Sequence, residues 1–238
     1  VAVAAAGVVP HPAVLPIAAT LAAWPAMATL LVRGRRAAAV GAVLGWAAAL
    51  SFTTIVWTAA DPGGAGPLVL NGPAYRDQMF AFIRTGSGAE SDPARFIPLH
   101  LRHLAIFVLL ALPTGGLLAI GMGAALVGYM SFYVGALASA CPGSMLPWVA
   151  GWPPWALARV AAFVLLGVVL AEPILALGAR WAGRGVAGAG GVFLDASGAA
   201  FARRGAGLAA ALLLVDLVLK GWLAPAWAVL LRGCLTAP

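Results

Sequence analysis

Apolar positions in this chain come in runs rather than alternating with polar ones. The segments from Ala13 to Val32, Ala37 to Ala59, His103 to Ala140, Trp155 to Ala179 and Ala206 to Leu231 hold almost no charge. A membrane-spanning helix needs roughly 20 apolar residues at about 1.5 Å each, and every run reaches that length. Backbone polar groups inside a bilayer must be satisfied within the segment, so each run is read as helix. The alternation of a lipid-facing β-strand is absent. The pattern predicts an all-α, polytopic helix bundle of about six spans, over residues 13–32, 37–59, 103–120, 124–140, 155–179 and 206–231. All 238 residues then form one transmembrane domain.

The run from 103 to 140 is too long for one crossing. Pro113, Gly115 and Gly116 predict a kink, and Gly121-Met122-Gly123 offers a tight turn, so two helices joined near Gly121 are expected. One broken helix with a re-entrant piece is the rival. Ser131, Gly135 and Ser139 recur every four residues and strip one helix face of bulk for a close neighbour.

The longest polar stretch, residues 60–102, is the outer loop of this scheme. Within it Tyr75, Met79, Phe82 and Ile83 follow helical spacing, and Pro73 suits a first turn. A short amphipathic helix over 73–84 is predicted, lying either on the membrane surface or on the protein's own outer face. Pro142 to Pro154 reads as a turn on the same side, with Trp148, Trp152 and Trp155 as an interfacial belt.

Composition sharpens this picture. Apolar residues make up 63% of the chain and charged residues 9%, with a net charge of +7. That charge is no nucleic-acid signature, because no basic stripe interleaved with aromatics occurs. Arg33, Arg35, Arg36, Arg180, Arg184, Arg203 and Arg204 fall in connections on one side of the scheme. Arg76, Arg84, Arg95 and Arg102 fall on the other, accompanied by acids. The first set marks the cytoplasmic face, as expected for a multi-pass protein of a bacterial cell (inner) membrane. The apolar stretch Val1 to Val9 lacks the positive start of a signal peptide, and the first helix is read as retained. The expected partners are the lipid bilayer and other membrane subunits, with no nucleic acid.

Cys141 and Cys234 lie near segment ends and are read as two unpaired small apolar residues, although an oxidising compartment would let them pair. Four charges sit inside spans: Arg159, Glu172, Asp216 and Lys220. Each costs roughly 2.5–3.5 kcal/mol near a helix centre on insertion scales. Asp216 and Lys220 share a helix face at i, i+4, so an intrahelical ion pair is expected; a polar path or subunit contact is the sharper alternative. Glu172, next to Pro173, pairs with cytoplasmic arginines by snorkelling or binds a cation or proton. Arg159, near a helix end, is expected to snorkel. His100 and His103, at i, i+3, are possible ligand or cofactor contacts, or plain anchors. They lack an obvious third partner, so no metal site is assigned, and no cofactor is named.

The tract Asp195-Ala196-Ser197-Gly198-Ala199 has the small-residue setting of an intramembrane serine nucleophile. No histidine follows Ser197 to act as base, and the site is rejected. Walker, HExxH and dinucleotide motifs are missing from any usable context. No catalytic residue is assigned, and the chain is read as a non-enzyme.

From His100 onward the order of elements resembles the stage II sporulation protein M family of integral membrane proteins. The matching pieces are His103 to Tyr129, Pro147 to Trp155 and Leu213 to Pro225. The family's asparagine pair and Asn-Gly dipeptide are absent, and Arg159 and Lys220 stand near where glutamates are expected. The resemblance implies a permease-like or scaffolding protein and carries over no binding residue. The expected function is therefore the membrane component of a transporter or permease-like assembly. An accessory subunit of a respiratory or photosynthetic complex is the alternative, and an intramembrane enzyme the third.

Overall fold

The computed structural model describes residues 11–181 and 196–236. Val1 to Val9, Arg184 and Asp195, all of which entered the reading above, lie outside the described residues. The chain forms α1 (Val14–Val32) and α2 (Arg36–Ala60), then the short α3 (Pro62–Ala65) and α4 (Gly72–Thr85). There follow α5 (Pro93–Thr114), α6 (Leu117–Ala140), the short α7 (Leu146–Ala150), α8 (Pro154–Trp181) and α9 (Ala196–Thr236). Six of these helices (α1, α2, α5, α6, α8 and α9) are long and apolar enough to cross a membrane. The protein is an all-α polytopic bundle, with no strand among the described residues.

Helix α6 is the central post, packing against α1, α2, α4, α5 and α8. Its seam with α2 is tight because Gly135 has no side chain. A Cβ there would lie 2.6 Å from both Ile55 O and Thr58 Cβ. One turn earlier, Ser131 Oγ donates to Val127 O at 2.7 Å and meets Ser51 Oγ at 2.9 Å. Ser139, the third member of the expected small-residue face, is exposed and outside the seam.

The break in the long apolar run falls at Gly115 and Gly116, not near Gly121. Both residues adopt left-handed φ values, 55° and 81°, which glycine takes without strain. The Gly116 N–H donates to Ala111 O at 3.0 Å, closing α5. Trp24 Nε1 donates to Gly115 O at 2.9 Å and fixes the turn against α1. A Cβ on Gly116 would approach Ala171 Cβ and Met27 Cε at 3.0 and 3.1 Å, so packing also requires glycine there. Gly121 and Gly123 continue α6 as helix.

At one end of the bundle lie the Arg33–Arg36 connection, the Gly115–Gly116 turn and the start of α9; this is called the basic end. The opposite end is closed by α4, α7 and the last turns of α9. Helix α4 places Met79, Phe82 and Ile83 in the core against α6 and α9, while Asp77 and Arg84 are exposed. Its apolar face therefore rests on the protein itself.

Helix α9 runs 41 residues, about 61 Å, roughly twice the thickness of a bilayer core. Its first half lies antiparallel to α8, where a Cβ on Gly205 would meet Val169. Its last turns pack against α4 and α7. There Trp227 lies 5.4 Å from Trp155 and 6.4 Å from Phe82, centroid to centroid, and donates from Nε1 to Ala150 O at 2.8 Å. Trp155 is accordingly buried core rather than part of an interfacial belt, while Trp148 is exposed. Cys141 and Cys234 are disulfide-bonded and tie the end of α6 to the end of α9. This corrects the expectation of two unpaired residues: their Cα atoms lie 4.9 Å apart, within bridging distance, because α4 and α7 draw the two helix ends together.

Candidate functional site: a charged head on an apolar cavity

Asp216 and Lys220 each pair with a residue of another element, one on α8 and one in the connection before α5, not with each other in the expected intrahelical pair. Arg159 on α8 reaches across to α9 and holds Asp216 with a two-pronged fork, Nε to Oδ2 at 2.9 Å and Nη2 to Oδ1 at 2.8 Å. Planar guanidinium matches both carboxylate oxygens at once, which a lysine ammonium cannot do. Arg159 is thus committed to a buried partner and does not snorkel. Lys220 extends instead toward the opposite end, placing Nζ 3.0 Å from Glu90 Oε2 and 4.7 Å from the centroid of the Phe96 ring. Asp216 and Lys220 still share a helix face, but each is neutralised by a residue far away in sequence. The four formal charges sum to zero.

Glu90 escaped sequence reasoning because the loop holds other acids with nothing to rank them. The structure separates them by task. Asp61 accepts from Gly64 N, Asp77 pairs with Arg76, and Asp92 caps α5 through Ala94 N. Glu90 alone among these four turns inward and is buried. Tyr75, beside it on α4, packs against Tyr129 with the rings tilted and their centroids 4.6 Å apart. Burial, followed by the Glu90 carboxylate, pushes the Tyr75 phenol well above its ordinary value, so it stays protonated.

The structure separates the two histidines. His100 Nδ1 lies 2.6 Å from Phe96 O, and its Nε2 points at Asp216 Oδ2 from 3.6 Å. His103, one turn on, lines the cavity described below without joining that contact. Among the described residues no three His, Cys, Asp or Glu side chains gather as a metal site.

Glu172 belongs to a second polar locus at the basic end. Arg36 Nε donates to its Oε1 at 2.7 Å, and Arg36 Nη1 donates to Ser197 Oγ at 3.2 Å. Of the two roles expected for Glu172, the structure displays the arginine pair, and the same Arg36 also reaches Ser197.

Between the two loci runs a cavity of about 120 Å³ to which all six long helices contribute lining residues. Its walls are apolar, with Met27, Val43, Phe107, Val164 and Leu213 among them, and its lining on α6 extends from Ala119 to Met130. That stretch of helix is about 17 Å long. His100, Arg159 and Asp216 form its polar end. Gly123 lines it too, and a Cβ there would meet nothing within 4 Å. Such a slender apolar slot with one polar end matches the shape of an amphipathic molecule.

Comparison of the chain with protein-family models, curated proteins and solved structures gives no match.

Proposed function

We propose that this protein is a non-enzymatic, membrane-spanning carrier: the membrane component of a transporter or permease-like assembly that holds an amphipathic solute between its helices. The observation that carries the reading is the cavity walled by all six spans and headed by a neutralised charge cluster. Buried ion pairs are weak contributors to stability, and well-packed apolar residues would often serve a structural role better. Retaining charges at the end of a cavity fits a site that recognises a head group. The order of elements from His100 onward resembles a family that implies a permease-like or scaffolding protein, and the first of these agrees with the carrier reading.

Purification from native membranes in mild detergent, followed by native mass spectrometry, tests the reading. The expected result is protein carrying an amphipathic small molecule together with partner subunits that include an ATPase. Gly123→Phe, which fills the slot, should lose the small molecule. A bare, empty monomer from wild-type membranes would sink the proposal, and co-purifying pigments or redox subunits would move the chain to an accessory role in such a complex.

A further inference from the structure

The polar end of the cavity carries a mismatch that selects a head group. His100 Nδ1 contacts the Phe96 carbonyl at 2.6 Å, and a carbonyl only accepts, so Nδ1 bears the proton. In a neutral imidazole the other nitrogen then offers a lone pair. His100 Nε2 is buried, has no hydrogen-bond partner among the described residues, and faces Asp216 Oδ2 at 3.6 Å. Two acceptors therefore look at each other across a gap just longer than a hydrogen bond. No donor among the described residues reaches His100 Nε2: Arg159 directs Nε and Nη2 at Asp216, and Lys220 points Nζ at Glu90. What His100 Nε2 lacks is a donor.

We infer that the cavity binds a long-chain alcohol, an uncharged amphiphile whose hydroxyl donates to His100 Nε2 while its chain lies along the apolar walls toward Met27. The inference rests on the carrier reading and names its solute class. A carboxylate head would bring a third acceptor against Asp216 and an unmatched negative charge. An ammonium head would add a positive charge beside Arg159 to a cluster already neutral. A ketone or ester only accepts, and leaves the mismatch in place. The dimensions favour a chain over a fused ring system. The cavity is narrow and drawn out along about three turns of α6.

The test uses the full chain in phosphatidylcholine nanodiscs, with radiolabelled 1-dodecanol, dodecane, dodecanoate and dodecylamine as probes. Retention is measured above that of empty nanodiscs. The alcohol should be held about tenfold better than each of the other three, the worth of roughly one hydrogen bond. His100→Phe should reduce the alcohol to the level of dodecane, and Gly123→Phe should abolish retention of all four. If His100→Phe fails to fold, histidine 15N resonances of the wild type still decide: Nδ1 is protonated and Nε2 bare without ligand, and the Nε2 signal shifts when dodecanol is added. Equal retention of the four probes, or an imidazolium in the empty protein at pH 7, overturns the head-group assignment and leaves the carrier reading standing. Wild-type protein that retains none of them overturns both.

Discussion

At the scale of single residues, the interior charges matter through their partners. Removing one member of a buried pair strands the other in a low-dielectric site and costs about 3–5 kcal/mol, whereas replacing both with apolar residues is often neutral. Asp216→Asn should therefore lower the melting temperature and folded yield sharply. Adding Arg159→Met should restore much of the loss, while adding Lys220→Met should not, because Lys220 answers to Glu90. Rescue by the lysine substitution instead would contradict the observed pairing; thermal melts of the three variants in detergent decide it. The sequence exposes Arg159, Glu172, Asp216 and Lys220 as unusual, since charge in an apolar run is conspicuous, and His100 only through its i, i+3 spacing with His103. It does not reveal their partners. Asp216 and Lys220 are adjacent on a helical wheel, while Arg159 stands 57 positions from Asp216, and local spacing carries no information about such a contact.

Among the helices, small residues decide where backbones meet, but their visibility in sequence is uneven. Two glycine groups stood close together in one apolar run, and turn chemistry alone could not choose between them. Gly115 and Gly116 end α5 because they follow Thr114 directly into two successive left-handed positions. Gly121 and Gly123 stay helical because α6 runs unbroken past them, with Gly123 bordering the cavity. The small face at Ser131 and Gly135 was legible, since four-residue spacing is a local property; which helix it meets was not. A matched pair of substitutions tests this difference. Gly135→Val drives a side chain into the backbone and side chain of α2 and should destabilise the protein by at least the roughly 1–3 kcal/mol typical of overpacking. Gly123→Val enters open space and should leave the melting temperature within a degree or two of wild type, or slightly above it. Similar losses from both would mean that helix propensity, rather than the α2–α6 seam, governs these positions.

For the whole molecule, two unrelated features bear on how the bundle sits in a membrane. Arginines outnumber acids at the end holding Arg33, Arg35 and Arg36, where Glu172 pairs with Arg36, whereas the opposite end mixes both signs more evenly. That opposite end also holds the Cys141–Cys234 disulfide, which closes 93 positions of chain. Basic connections stay in the cytoplasm, and disulfides persist on the oxidising side of a membrane. Both lines give the same orientation, although the cysteines alone, too far apart in sequence to be read as a pair, could not supply the second. Introduced Arg35→Cys and Ser87→Cys, both at exposed positions, provide the test. In intact cells a membrane-impermeant maleimide should label position 87 and spare position 35 until the membrane is opened. The native cysteines should stay silent without reductant and react from the outside after it. Because the bridge restrains a loop this long, reduction should also lower the melting temperature; chain-entropy arguments put its worth at no more than about 4–5 kcal/mol, and less where helices persist in the unfolded state. Labelling of positions 35 and 87 from the same side would break the six-span alternation itself, because α2 alone separates the first site from the end of the bundle that carries the second.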